Sequence, residues 1–166
     1  MMKWVVRVVL VLALLALVIW GWSYFFPSAE TAVRRKLQEV ARLASFSQGE
    51  SVISKGLAIN SLMDTCTDDI EISVDIQSYQ RQSMTGKEEL RTATTVVRAH
   101  LSSLKVEFLD LNIDVGPNKQ TAVVDLTAKI RVPGEQEFFP QELKFTLKKV
   151  DGKWLIRKIE TVKTLS

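Results

Sequence analysis

From Val8 to Ala29 the chain carries no charged residue, and Val8–Ile19 consists entirely of Val, Leu, Ile and Ala. As a helix, Val8–Phe26 would span about 28 Å, close to the roughly 30 Å hydrocarbon core of a bilayer. Trp4 flanks one end, and Trp20, Trp22 and Tyr24 flank the other, as amphipathic rings do at headgroup level. Nothing polar interrupts the run to make a wetted face, so a buried core helix is a poor fit. The run predicts a transmembrane anchor over residues 4–26 and a domain over 29–165.

A cleaved leader is the competing reading. The apolar stretch is longer than an ordinary signal-peptide core, and Pro27-Ser28-Ala29 sets proline at the −3 position of the nearest small-residue site. Lys3 and Arg7 favour a cytoplasmic N-terminus, whereas Arg34, Arg35, Lys36 and Arg42 on the other flank oppose it. The run starts almost at the first residue, as in signal anchors. The expected localisation is therefore the cell membrane, single-pass, with the domain on the periplasmic or extracellular side.

The remaining length suits one domain able to bury a core without staples. Cys66 is the only cysteine, so no internal disulfide is available. The net charge of +3 is mostly Lys3 and Arg7; beyond them 20 basic residues face 19 acidic ones. That balance excludes the basic footprint of a nucleic-acid binder. No Walker A loop, dinucleotide glycine fingerprint, Cys-x-x-Cys pair or zinc-protease motif occurs, and neither a cofactor nor a metal is predicted.

Val33, Leu37, Val40 and Ala44 recur at helical spacing within Ala29–Phe46. After Gly49, a second helix is predicted over Glu50–Asp64. Its apolar set is Val52, Ile53, Leu57, Ile59, Leu62 and Met63, with Gly56 allowing a close approach. Asp69–Gln77 switches to the alternation of a half-buried strand, and Gln77–Ser83 is a candidate short returning strand. Thr85 with Glu88 reads as a capping box, opening a third helix with a seam of Leu90, Ala93, Val97, His100 and Leu104.

Four strands follow. Val106–Val115 changes parity near Phe108-Leu109, which predicts a bulge. Ala122, Val124, Leu126, Ala128, Ile130 and Val132 face one way, and Asp125, Thr127, Lys129 and Arg131 the other. Leu143, Phe145 and Leu147 alternate through Glu142–Val150, Asp151-Gly152 signals a hairpin, and Trp154–Val162 ends the series. The fold class is α+β: an N-terminal transmembrane helix, then a cone-like curved antiparallel sheet packed on three helices.

This order of elements resembles the nuclear transport factor 2-like superfamily, also called SnoaL-like or ketosteroid-isomerase-like, over about Ala29–Leu165. Thr85-Gly86-Lys87-Glu88-Glu89-Leu90 is similar to the segment opening the third helix in many members. Asp151-Gly152-Lys153-Trp154-Leu155-Ile156 is similar to the final hairpin and strand. The resemblance implies a curved sheet wrapped around a long helix. Members resembling ketosteroid isomerase set an Asp base and a Tyr or acid donor inside the cone. Here the inward strand positions are apolar, and the only tyrosines are Tyr24 and Tyr79. Members that join one anchor helix to this fold include the bridging subunit of type IV secretion and membrane proteins of lipid-import systems.

His100 is the only histidine. It is the one candidate for a pocket, although a packed structural residue is the simpler reading. Asp68, Asp69, Glu71 and Asp75 read as a solvated edge, and Cys66 as a small buried hydrophobe. Lys129 and Arg131 are candidates for a docking face. The expectation is a membrane-anchored, non-catalytic binding or scaffolding domain, an accessory to an envelope transport or secretion assembly. Its partners would be the bilayer and a protein or a second copy. The alternative is a lipid-like small-molecule binder, or a cofactor-free enzyme, using the apolar cone interior.

Overall fold

The computed structural model describes residues 28–75, 82–132 and 139–162. The anchor expected over residues 4–26 lies outside them. Among the described residues no helix is long and apolar enough to cross a membrane.

Helix α1 spans Ala29–Ala44. The Ser28 hydroxyl caps it by accepting from the Thr31 amide at 3.2 Å, with Glu30 in the first turn and Arg42 in the last, each favourable to the helix dipole. Val33, Leu37 and Val40 are its buried face, as their spacing predicted. Helix α2 spans Val52–Met63, capped by Ser51. Strands β1 (Cys66–Val74) and β2 (Gln82–Thr85) come next, then helix α3 (Lys87–His100). The chain ends in β3 (Lys105–Val115), β4 (Thr121–Arg131), β5 (Phe139–Val150) and β6 (Lys153–Thr161). Of the returning strand expected over Gln77–Ser83, residues 77–81 lie outside the described residues; Gln82 and Ser83 open β2, which runs on to Thr85 and pairs antiparallel with β1.

The strands form one curved six-stranded sheet in the order β2-β1-β6-β5-β4-β3. It is mixed rather than antiparallel throughout, because β1 and β6 run parallel. The short β3–β4 and β5–β6 turns dictate antiparallel neighbours there, but no turn joins β1 to β6, and their direction follows from packing instead. At the β5–β6 hairpin Asp151 and Gly152 both take positive φ, 49° and 79°. Two such residues make a turn whose twist matches the flanking strands.

Ala122, Val124, Leu126 and Ala128 of β4 meet Leu143, Phe145 and Leu147 of β5, and Trp154 and Ile156 of β6, against α1. The Phe108 and Phe145 rings stand edge to face at 5.4 Å. The bulge in β3 falls later than its parity suggested. Register breaks between the pairs Leu109–Thr127 and Asn112–Asp125, with Asp110 at φ 53°, a conformation that Asp tolerates better than most residues. Leu109 thereby stays on the outer face, and Leu111 turns inward.

Both remaining helices depart from their predicted faces. In α2 only Met63 is buried, while Val52, Ile53 and Leu57 are 86%, 76% and 63% exposed. Gly56 makes no close approach among the described residues, since a Cβ there would meet nothing within 4 Å. In α3 the expected capping box is replaced: Gly86 holds the cap position, and Glu89 rather than Glu88 reaches back to accept from the Thr85 amide at 2.8 Å. The seam of α3 runs through Leu90, Thr94, Arg98 and Leu101, leaving Val97 and His100 exposed. It is rotated by one residue, about 100°, from the expected stripe.

Candidate functional site

The inner face of the sheet is occupied by α1 and is apolar. Among the described residues the buried polar side chains are Thr65, Thr67 and Arg98. Arg98 donates to Glu50 Oε2 at 3.0 Å and to the Leu43 carbonyl at 2.6 Å, and its guanidinium lies 4.7 Å from the Phe46 ring centre. Phe46 in turn exchanges backbone hydrogen bonds with Leu104. Arg98 thus ties the end of α3 to the α1–α2 connection. Its donors are spent on structural acceptors, so the arrangement holds a loop rather than a substrate. Nothing in the spacing of α3 marked it out, because an arginine beside two valines reads as the polar face.

His100 lies on the exposed side of α3, its Nδ1 2.9 Å from the Val96 carbonyl. The structure does not bring it to the inner face. Cys66 is buried, and burial pushes its thiol above its ordinary value; the nearby Thr65 hydroxyl and Lys87 charge pull only weakly the other way. A neutral buried thiol is a poor nucleophile. In the acidic cluster, Asp68 pairs with Lys87 at 2.8 Å and Asp69 with Arg157 at 3.5 Å. Among the described residues no three His, Cys, Asp or Glu side chains are placed to hold a metal ion.

The outer face of β3–β4–β5 is chemically richer. The alternation of β4 puts Val123, Asp125, Thr127, Lys129 and Arg131 on this face. Register sets Lys105 beside Arg131, Glu107 beside Lys129, and Asn112 beside Asp125. Charges of both signs interleave: Lys105–Glu107 at 2.9 Å, Arg131–Glu107 at 4.0 Å and Lys144–Asp125 at 3.7 Å. The Lys105 hydrogen bond and charge hold the Glu107 carboxyl below its usual range, with Arg131 and Lys129 adding to the effect.

Where the bulge lifts β3 away from β4, an open groove of about 270 Å³ lies along Asp110, Asn112, Asp125, Thr127 and Glu142. Leu109 and Val123 are exposed apolar side chains on the same face. Lys129 and Arg131 therefore share a face with an acidic groove. The groove itself was not foreseen, although the parity change in β3 was its local signal. The face offers complementary charge, a concavity and some apolar contact, a combination suited to docking.

No family model matches the sequence, and no curated relative matches it. Solved structures match across most of the chain. An NTF2-like protein of unknown function from Pseudomonas putida KT2440 superposes with a TM-score of 0.64 at 11% identity, covering 85% of this chain and 90% of that one. Two proteins from Novosphingobium aromaticivorans are also similar. One, provisionally named an aromatic ring hydroxylase, gives 0.62 at 13% identity, with 82% and 89% covered. The other, provisionally named a scytalone dehydratase, gives 0.58 at 16% identity, with 82% and 84% covered. At such identities the likeness is one of fold: the chain has the NTF2-like architecture that its order of elements suggested.

Proposed function

We propose that this chain is a membrane-tethered binding module that uses the outer face of its sheet to hold a protein partner, without catalysis of its own. The observation that carries the reading is the contrast between the two faces. The inner face is filled by Val33, Leu37 and Val40 of α1, whereas the outer face presents interleaved charges, exposed Leu109 and Val123, and an open groove. Acid–base chemistry needs a titratable group held beside its target and oriented by a second group. The candidate bases and acids named above are exposed or spent in ion pairs. The charge-free run before Ser28 supplies the tether, and the periplasmic or extracellular side remains the assignment for the domain. An accessory role in an envelope transport or secretion assembly fits this layout.

The test compares the two faces in cells. Lys129→Glu with Arg131→Glu, in a folded and normally abundant protein, should abolish the function and the capture of partners from solubilised membranes. His100→Gln should leave both intact. The opposite pattern would falsify the docking reading.

A second reading has one observation in its favour: two proteins with this fold carry provisional enzyme names. In it, a lipid-like small molecule occupies the cone interior. Native mass spectrometry of the detergent-extracted chain distinguishes the two, because a co-purifying small molecule lost on Leu126→Trp would favour the interior.

A further inference from the structure

The first turns of α2 leave three large aliphatic side chains, Val52, Ile53 and Leu57, largely exposed to solvent. Gly56 lies between them with open space around it. The twelve residues of α2 include no acid and one cation, Lys55. The patch continues on α3: Arg98–Glu50 and Arg91–Asn60 at 2.6 Å bind the helices side by side, and Val96 and Val97 are exposed near the Glu50 end.

Helix α1 contributes the charge. Its core face is Val33, Leu37 and Val40, so Arg35 and Arg42 project from the opposite side, away from the sheet. Arg34 pairs with Glu30 and Lys36 with Glu39. Arg35, Arg42 and Lys55 have no ion pair among the described residues. The helical side of the molecule therefore combines exposed aliphatics with cations that have no acidic neighbour paired to them.

We infer that this helical side docks on the surface of a bilayer containing anionic phospholipid, with Val52, Ile53 and Leu57 entering the headgroup boundary and Arg35 and Arg42 meeting the phosphates. An acid-free helix with large aliphatics on one exposed side is suited to lying in that interface. Each basic residue near an anionic surface adds attraction of a fixed order. The position of the chain outside the domain selects a bilayer over a second copy. The apolar run ends at Phe26, and only Pro27 and Ser28 separate it from α1. With that run in a membrane, α1 starts at the headgroups, and its length of about 24 Å brings the α2 patch within reach of the same surface when α1 lies along it. The inference rests on the tether proposed above.

The test uses the whole chain reconstituted in vesicles of phosphatidylcholine with or without phosphatidylglycerol. A cysteine-reactive fluorophore is placed by Ile53→Cys, or by Val123→Cys on the opposite face; buried Cys66 stays unlabelled in the folded protein. Lipids carrying a nitroxide should quench the probe at 53 and not that at 123, and more strongly when phosphatidylglycerol is present. Arg35→Ala and Arg42→Ala should each lower the docked-to-undocked ratio about five-fold, and about twenty-five-fold together. A chain that floats with vesicles while the probe at 53 is quenched no more than that at 123 overturns the docking and leaves the tether standing. A chain that does not float overturns both. Shielding of the probe at 53 that grows with protein concentration in lipid-free detergent identifies a second copy as the occupant, and also overturns the inference.

Discussion

Arg98 shows what a single residue can hide. Its guanidinium is buried against Glu50, the Leu43 carbonyl and the Phe46 ring, so the α1–α2 connection leans on one side chain. Arg98→Met keeps much of the volume but strips both acceptors of their donor. The expected loss is about 2 to 3 kcal/mol, below the range for a fully buried pair because Glu50 retains some contact with water. Urea unfolding of the detergent-solubilised chain reads it; a loss under about 0.5 kcal/mol would mean that the connection stands without it. The partner of Arg98 lies 48 positions away, and no local spacing encodes such a contact.

Cys66 carries the other residue-scale expectation, and here the sequence reading of a small buried hydrophobe agrees with the structure. Burial raises the folded thiol above its ordinary value of 9.0, so the unfolded thiol ionises first as pH rises. Its contribution to stability is complete below about pH 9 and declines above that value as the pH climbs toward the folded value. Native protein should resist thiol reagents until unfolded, and Cys66→Ala should flatten the alkaline fall in stability. A native thiol that reacts as fast as a free one would contradict the burial.

At the scale of elements, β4 was legible and α2 was not, for one physical reason. A strand flanked by two others shows its alternation because one face is buried, and Ala122, Val124, Leu126 and Ala128 are buried as their parity demanded. Helix α2 has an apolar pattern as well, yet half of it, Val52, Ile53 and Leu57, faces outward. A periodic stripe tells that a face seeks an apolar partner, not whether this chain supplies it. The two elements should answer truncation differently. Leu126→Ala is expected to cost about 2 to 5 kcal/mol, whereas Ile53→Ser should change stability by less than about 0.5 kcal/mol. Chemical unfolding of both variants checks this, and a large loss at Ile53 would place it in a core.

For the whole molecule, the antiparallel pairing of β5 with β6 followed from the Asp151-Gly152 turn, which obliges its flanking strands to run antiparallel. The parallel join of β1 to β6, which closes the sheet over α1, has no turn behind it and could not be read that way. The groove on the outer face depends on the same long-range assembly, since it forms where β3, with Asp110 out of register, lies beside β4, which in turn pairs with β5.

The charge-free run before Ser28, proposed above as the tether, makes a testable difference to how the protein is held. If about 20 apolar residues are buried in lipid, the attachment owes little to surface charge, and salt or carbonate washing should leave the protein in the membrane fraction. Contact of Arg35 and Arg42 with phosphates would be weakened by the same salt, so an attachment depending on them alone should wash off. Orientation is set by the contest between Lys3 and Arg7 on one flank and Arg34, Arg35, Lys36 and Arg42 on the other. With the domain outside, a C-terminal alkaline phosphatase fusion should be active and a C-terminal fluorescent-protein fusion dark. The reverse pattern would show that the α1 cations hold the domain in the cytoplasm. A soluble form whose first residue lies near Ala29 would show that the run is a leader removed after export.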